Sequence, residues 1–595
     1  MCGLFGVVGT QSLDLEAARE ALISRGPDDS GTYRSDACQL IHTRLAIQDL
    51  SPLGHQPMLS ADPTLALVFN GEIYNAPKLR LELEALGCTF RSHSDTEVIL
   101  RGWQRWGDAV WPRLDGIYAC GLWDEGRQIL TLARDPLGIK PLYVQERSGT
   151  FVFSSELSAL QASGAATEPD QQAIAAYGLW GAYASPASAL RGVQAFPPGQ
   201  VAQWQPRGGL RTISQQDLPG ASAPVEVPAS FEAAVAGVAK RLRAAVEAQA
   251  IGDVPVGCFL SGGLDSGILA ALLQDASSER VTTLSVGFRD LPGAEDESAR
   301  AQATADLLGT DHHAIRFASA DFDGLFDAFL GAIDAPSIDG FNTFLVSRAA
   351  RQVGLKVAFS GLGADEVFAG YPQFSQWQRA LEAPLRPRPR GLLPVQLLRL
   401  IKQEQQAYAR RGLAAALDLR QIPFHGLGSS QRRRLLAERL QTLAAADSLA
   451  ALSELELIGY LRDTLLRDTD AVSMHAGLEV RVPYLDQALI RYSLAIPGAW
   501  HLAEGPKTLL RRAFAHRLPQ LVTSSAKTGF NLPLGPWLLS SPRFAPQRIA
   551  ALLKPWDVPR RAVLASWAYL RAQPGRWQPY WRWVVLAEWL ARCPA

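Results

Sequence analysis

Net charge is absent from this chain: 58 basic and 58 acidic side chains cancel across 595 residues. A zero balance gives no electrostatic reason to expect a general binder of nucleic acid or of membrane surfaces. Long apolar runs are missing too, and no segment reaches the length of a bilayer span. The opening residues 1–9 are apolar, but no basic stretch precedes them and polar residues soon follow, which argues against a secretory signal. Cysteine is sparse. Cys2, Cys38, Cys88, Cys120, Cys258 and Cys593 include no Cys-x-x-Cys pair, so neither a disulfide framework nor a zinc site is expected. These absences leave a reduced cytoplasmic protein with buried thiols, in which only Cys2 stands at an unusual position. No internal repeat is visible. No glycine loop ends in Gly-Lys-Ser/Thr, which removes a Walker-type phosphate site.

A chain this long exceeds one compact core, so two or more domains are expected. With 47% apolar residues it is not a disordered chain. Residues 2–205 read as short strands and turns, with strands at 65–69 and 129–133 and helices at 78–86 and 96–106, as in a layered α+β domain. Residues 206–230 are rich in glycine, proline, serine, alanine and glutamine and read as a linker. Over 231–595, helices at 231–249, 267–275 and 297–308 alternate with strands at 254–260, 281–288 and 356–360. That order argues for a parallel sheet covered by helices. The Arg-Pro-rich stretch 382–394 and Arg432-Arg433-Arg434 read as solvated basic faces rather than a nucleic-acid patch. Trp577, Trp581, Trp583 and Trp589 stand at near-helical spacing and read as packing.

Removal of Met1, which a small second residue favours, would make Cys2 N-terminal. Its α-amine, with a pKa near ~7.7–8.0, could then act as base for its own thiol, and no histidine is required. The plain alternative is an early strand residue. Ser24-Arg25-Gly26-Pro27-Asp28 is a turn signal. Arg44, in His42-Thr43-Arg44, lies beside a strand, and a guanidinium suits a bidentate grip on a carboxylate. In Asn70-Gly71-Glu72 an Asn-Gly turn can offer a side-chain amide and a backbone N–H to one developing oxyanion. Asp95, in Ser94-Asp95-Thr96-Glu97, opens a helix either as its N-cap or as a carboxylate for a substrate ammonium. In this order, together with Arg134-Asp135-Pro136-Leu137-Gly138 and Phe153-Ser154-Ser155-Glu156, these motifs resemble the class II glutamine amidotransferase domain over nearly all of residues 2–200. The resemblance implies a four-layer αββα fold of the N-terminal-nucleophile type and glutamine hydrolysis through a Cys2 thioester. It makes Asn70 and Gly71 the oxyanion hole, sets Arg44 and Asp95 on the α-carboxylate and α-amine of glutamine, and has Glu72 line the site.

In the second half, Phe259-Leu260-Ser261-Gly262-Gly263-Leu264-Asp265-Ser266 lies between an expected strand and helix. Gly262 and Gly263 let backbone approach a polyphosphate, while Ser261, Ser266 and the helix N-terminus supply donors. Asp265 would repel phosphate unless Mg²⁺ lay between them. Ser360-Gly361-Leu362-Gly363-Ala364-Asp365-Glu366 is a second glycine loop, with Asp365 as another candidate Mg²⁺ ligand. Lys507 could neutralise a departing pyrophosphate, or be an exposed lysine at a helix start. The first loop resembles the pyrophosphate loop of ATP pyrophosphatases, which cut ATP between the α and β phosphates.

With the amidotransferase-like part fused ahead, the whole chain resembles the glutamine-hydrolysing asparagine synthetase family of the bacterial B type. The resemblance implies an α/β parallel-sheet synthetase domain with extra helices, with ATP and Mg²⁺ as cofactors. It implies adenylation of the side-chain carboxylate of aspartate, ammonia delivered through an internal tunnel, and asparagine, glutamate, AMP and pyrophosphate as products. It sets Leu260, Val286, Ser360 and Gly361 against adenine and ribose. The partners would be small molecules, with no nucleic acid and no membrane, and a homodimer is compatible with it. Leu362 departs from the family, whose loop reads Ser-Gly-Glu-Gly. Another base, such as Glu366, Asp463 or a departing phosphate oxygen, could serve instead. Otherwise the acceptor is a different carboxylate, such as a sugar acid, or the protein is a glutaminase or assembly protein with an inactive synthetase half. Residues 336–343, where the acceptor pocket is expected, do not look like the aspartate-specific sequence, and the segment 378–447 is longer than in compact bacterial members.

Overall fold

The computed structural model describes residues 2–9, 11–183, 185–216, 227–289, 297–382, 448–518 and 532–593. The Arg-Pro stretch from 383 on and Arg432-Arg433-Arg434 lie outside them.

The N-terminal half is built on two antiparallel sheets. The first contains β1 (Cys2–Val8), β2 (Asp29–Arg34) and β3 (Cys38–Arg44). The second contains β4 (Met58–Leu59), β5 (Leu65–Ile73), β6 (Gly116–Asp124) and β7 (Ile129–Arg134). The chain returns to the first with β8 (Tyr143–Arg147), β9 (Thr150–Ser154) and β10 (Gln194–Ala195), then to the second with β11 (Gln200–Gln205) and β12 (Gly209–Gln215). The strand orders are β10-β8-β9-β1-β3-β2 and β12-β11-β7-β6-β5-β4. Strands β1 and β5 are buried along their whole length because the sheets face each other there. Helices Leu15–Leu22 and Leu157–Ala162 cover the first sheet, and Asp95–Trp106 covers the second. This is the expected αββα arrangement.

Two readings need correction. The stretch read as linker carries β12, which pairs with β11 from Gln205↔Gly209 to Gln200↔Gln215, so the sheet continues to residue 215. Its glycine-rich start is a hairpin turn rather than a connection between domains. Asn70-Gly71 is also not a turn. Asn-Gly is a strong hairpin signal, yet β5 runs on to Ile73 with Asn70 and Gly71 opposite Ala119 and Tyr118 of β6. Glycine is required here by close approach: Gly71 has φ +154°, and a Cβ would lie 2.0 Å from the Ile117 carbonyl oxygen.

The second half holds β13 (Val256–Phe259), β14 (Thr282–Phe288), β15 (Asp311–Phe317), β16 (Val357–Phe359) and β17 (Glu479–Arg481), all parallel, in the order β15-β14-β13-β16-β17. Helices Phe231–Gln249, Leu264–Ala276 and Glu297–Leu308 form where the 3.6-residue apolar period places them. Because β13 is flanked by β14 on one side and β16 on the other, the strand order reverses at the β13/β16 pair. The loops leaving their carboxyl ends open side by side into the crevice that such sheets use for ligands. The tryptophan-rich tail is packing: Trp581 of helix Gln578–Leu590 is fully buried, edge-on to Phe326 at 5.3 Å. The halves share one core, in which Phe5 and Leu157 belong to the same buried cluster as Val480 and Leu485.

Candidate active site

Two clusters of the expected residues form, one in each half. Pairing of β1 with β3 sets Cys2 directly opposite Arg44. From the facing sheet, Asn70 Oδ1 accepts the Cys2 N–H at 2.9 Å. Asn70 is fully buried, and its Nδ2 has no hydrogen-bond partner among the described residues. A buried amide with one end held and the other unsatisfied is costly unless a ligand completes it. Burial raises the Cys2 thiol pKa, partly offset by the positive chain terminus beside it.

The Arg44 guanidinium is anchored on loop carbonyls, with Nη2 on Gln48 at 3.1 Å and Asp49 at 2.6 Å, and Nη1 on Ser51 at 3.4 Å. Two of its five N–H groups are not used by these bonds. The N-cap of helix Asp95–Trp106 is Ser94, whose side chain accepts the Glu97 N–H, so Asp95 is not the cap. Asp95 is buried, accepts the Ile73 N–H at 2.9 Å, and has a carboxyl pushed up to about 6 by burial. Glu72 is buried, with Oε2 accepting from Gln48 Nε2 and Oε1 lying 3.3 Å from Arg481 Nη2. Burial and the nearby Glu479 push its carboxyl well above the usual range.

Around this cluster stand charges that no sequence signal singled out as functional. Arg25 Nε donates to the Cys2 carbonyl at 3.0 Å, Nη1 to Glu156 at 2.9 Å and Nη2 to Asp470 at 2.7 Å. Lys140 Nζ donates to Asp470 at 3.3 Å. Arg481 pairs with Glu479 of its own strand and with Glu72. The Glu-x-Arg spacing on a strand puts both side chains on one face, which was a usable sign. Asp470 carried none.

The second cluster lies at the β13/β16 crevice. Leu260 is buried after β13, and its N–H donates to the Leu284 carbonyl. Val286 is buried on β14. Gly262 has φ +70° and sits against the Arg300-Ala301 backbone, where a Cβ would come within 2.8 Å of Ala301 N. Ser266 Oγ accepts the Ser261 N–H at 3.1 Å, and the two hydroxyls are 3.1 Å apart. Gly263 caps helix Leu264–Ala276 without a side-chain bond, leaving the first-turn N–H groups for an anion. The two loops touch, since a Cβ on Gly361 would lie 3.2 Å from Asp265 Cβ. The Ser360 N–H donates to the Arg481 carbonyl at 2.9 Å.

Asp265 and Asp365 converge on Lys507, with Nζ at 2.5 Å and 2.6 Å from their carboxylates. Lys507 is therefore no exposed lysine. It is buried, holds φ +58°, and is kept protonated by the two aspartates. A site where two hard carboxylate oxygens already close on one cation fits Mg²⁺.

Leu362 is half-buried, and its N–H donates to Ser360 Oγ at 3.4 Å. Of the alternative bases, Glu366 is buried and accepts from Tyr371 Oη at 2.7 Å. Asp463 is bound by Arg462 Nε at 3.0 Å and lines a small cavity with Tyr183, Ala335 and Arg467. In the expected acceptor stretch, Ser337 Oγ donates to Asp468, and Tyr460 Oη donates to Asp339 at 2.5 Å.

Residues 237–591 match the family model described as asparagine synthase, and residues 1–213 the one described as glutamine amidotransferase domain. The chain is similar to a Mycobacterium tuberculosis (strain H37Rv) protein named putative asparagine synthetase (glutamine-hydrolyzing), at 30% identity over 592 residues, covering 90% of this chain and 88% of that protein. It is similar to asparagine synthetase (glutamine-hydrolyzing) 1 of Bacillus subtilis at 28% over 573 residues, 90% and 88% covered. Asparagine synthetase B of Escherichia coli K12 matches at 32% over 412 residues, 64% and 67% covered. Among solved structures, glutamine phosphoribosylpyrophosphate amidotransferase from B. subtilis aligns with 53% of this chain and 65% of that one, at 18% identity and a TM-score of 0.29.

Proposed function

The chain belongs to the asparagine synthase family and is a glutamine-dependent ligase, and from that premise we propose that Cys2 cleaves glutamine and that the second half uses the released ammonia to amidate an adenylated carboxylate. The supporting observation is the divided use of Asn70. Its Oδ1 holds the nitrogen of Cys2 while its buried Nδ2 is left for an oxyanion. With Met1 removed, the Cys2 amine takes the thiol proton and Sγ attacks the glutamine side-chain carbonyl. Asn70 Nδ2 and the Gly71 N–H receive the oxyanion, ammonia leaves, and water releases glutamate. Arg44 grips the substrate α-carboxylate with the N–H groups its loop does not take, and Asp95 its ammonium.

In the second half, the ATP phosphates lie over Ser261, Gly262, Gly263 and Ser266, with the purine and ribose against Leu260, Val286, Ser360 and Gly361. Asp265 and Asp365 would hold Mg²⁺, which supplies neutralisation of phosphate charge. Lys507, released from the aspartates, neutralises the departing pyrophosphate. Aspartate is the proposed acceptor, giving asparagine, AMP and pyrophosphate.

A specific residue favours a second reading. Leu362 cannot accept a proton or polarise an attacking amine where the family loop carries glutamate, which leaves room for an acceptor other than aspartate. The deciding experiment is pyrophosphate release from MgATP and glutamine, with and without aspartate, with mass detection of the amide. Aspartate-dependent release with asparagine formed is expected. Glutamine hydrolysis with no stimulation by aspartate would transfer the assignment to another carboxylate, such as a sugar acid.

A further inference from the structure

Cys2 is held by more than its own chain. Its chain continues into β1 opposite Arg44 of β3, its N–H donates to Asn70 Oδ1, its carbonyl accepts from Arg25 Nε, and its thiol takes the Leu45 N–H. Once Met1 is gone only the link into β1 is covalent, so these hydrogen bonds together set where Sγ points relative to Asn70 Nδ2, and the one from Arg25 fixes the Cys2 carbonyl. A guanidinium is a rigid planar fork. Whatever holds Nη1 and Nη2 therefore fixes the direction of Nε–H. Arg25 is fully buried, and the two holders are carboxylates: Glu156, just beyond β9, on Nη1, and Asp470 on Nη2. Asp470 comes from the other half of the molecule, on helix Arg467–His475, 445 residues from Arg25 in the chain. It is itself buried and also takes Lys140. Arg25, Lys140, Glu156 and Asp470 thus form a cluster of two cations and two anions, with the buried Asp334 close enough to feel both Glu156 and Arg25.

We propose that Asp470 is a positioning residue for the glutamine-cleaving nucleophile: the synthetase half supplies the carboxylate that aims Arg25 at the Cys2 carbonyl. The inference rests on the Cys2 reading above and goes beyond it by making the geometry of the first site depend on a side chain of the second half. The same helix carries Asp468, which accepts from Ser337 Oγ in the stretch expected to face the acceptor. One short helix therefore touches the nucleophile's support and the acceptor-side loop. Misplacing a reacting atom by about 1 Å costs on the order of 10²-fold in rate, so a small shift of this helix is enough to change turnover.

The test uses the full chain and three variants. Asp470→Asn keeps the shape and removes the charge. It is expected to lower kcat for glutamine hydrolysis by about tenfold or more with KM changed less than about twofold, since binding groups are untouched. The maximal rate of Cys2 alkylation by a glutamine-like chloroketone should fall with it, while ammonia-dependent AMP formation stays within about twofold. Asp470→Glu, which keeps the charge, should recover part of the loss. Because Asp470→Asn leaves a buried excess cation, Lys140→Met/Asp470→Asn is made beside it to restore neutrality. This double variant should regain the wild-type Tm while kcat stays low. Wild-type turnover in Asp470→Asn would overturn the proposal. So would a double variant that recovers Tm and kcat together, or equal loss of both activities, because each means that Asp470 serves only the fold. If the wild type neither hydrolyses glutamine nor is alkylated at Cys2, the Cys2 reading falls first and takes this inference with it.

Discussion

Asp95 has a carboxyl that burial pushes up to about 6, against an ordinary value near ~3.9. To receive an ammonium it must be ionised. On the proposed reading the Cys2 amine, with a pKa of ~7.7–8.0, already gives kcat/KM for glutamine an acid limb of about tenfold per pH unit, and Asp95 steepens it to about a hundredfold per unit below about 6, because this ratio reports the free enzyme. Asp95→Asn should be slow and keep the amine limb but lack the second break near 6. A wild-type profile that keeps a single slope down to pH 5 would remove Asp95 from the glutamine site. The linkage to folding runs the other way. With the folded pKa raised above the unfolded one, the native state binds a proton that the unfolded chain releases between those values. The group's contribution to stability is then present below about 4 and lost as pH rises through about 6. The acid limb of activity should therefore not be matched by a loss of Tm from this group.

At this scale the sequence was informative about identity and poor about geometry. Cys2, Arg44, Asn70 and Asp95 stand in short strings that name their chemistry. The Asn70 conformation does not follow from its neighbours, because the residues that decide it are Tyr118 and Ala119 of the strand across from it.

At the scale of elements, the order β14-β13-β16 brings together two loops almost a hundred positions apart in sequence. Periodicity made the strands and helices legible, and the glycine strings marked the loops. The convergence of Asp265 and Asp365 on Lys507 was not visible, since it needs the strand order and the left-handed backbone of Lys507. That backbone costs about 1–3 kcal/mol for a non-glycine residue and persists only where the surroundings hold it. Here the surroundings are the two carboxylates, together with Gly370, where a Cβ would lie 2.0 Å from Asp365 and 2.2 Å from Lys507 Cε. Lys507→Met leaves two carboxylates facing each other across one gap. It should lower the Tm of the ligand-free protein by several degrees, roughly 1–3 kcal/mol given their partial exposure. It should also enlarge the Tm increase on adding Mg²⁺, because the metal would take over the lysine's place. AMP formation should fall on the order of 10²-fold, as when one electrostatic group is removed from an active site. Thermal melts with no greater response to Mg²⁺ than the wild type would mean that the two aspartates do not make a metal site.

At the scale of the whole molecule, the two halves meet through buried charges. Asp470 reaches Arg25 and Lys140 of the first half, and Arg481 reaches Glu72. None of these pairs was legible in the sequence, because no local pattern links partners hundreds of residues apart, and family likeness names each half without its contacts. Arg481 touches both sites: its side chain lies against Glu72 while its carbonyl accepts the Ser360 N–H. A residue held at both ends transmits a displacement of either loop. The expected consequence is that MgATP with acceptor promotes glutamine cleavage, by a factor within the ordinary 5–150-fold range of coupling free energies. Coupling through buried groups is weakly screened, so the factor should persist in about 0.5 M salt, where exposed pairs more than a few ångströms apart lose their attraction. Binding gives the cleaner form of the test, because coupling of affinities is reciprocal. In Cys2→Ala, which should bind glutamine without cleaving it, calorimetry with α,β-methylene-ATP should find glutamine tightening the nucleotide by the same factor as the nucleotide tightens glutamine. Two affinities that each ignore the other ligand, with cleavage rates equal with and without MgATP and acceptor, would mean that the buried charges join the halves mechanically and carry no signal between their sites.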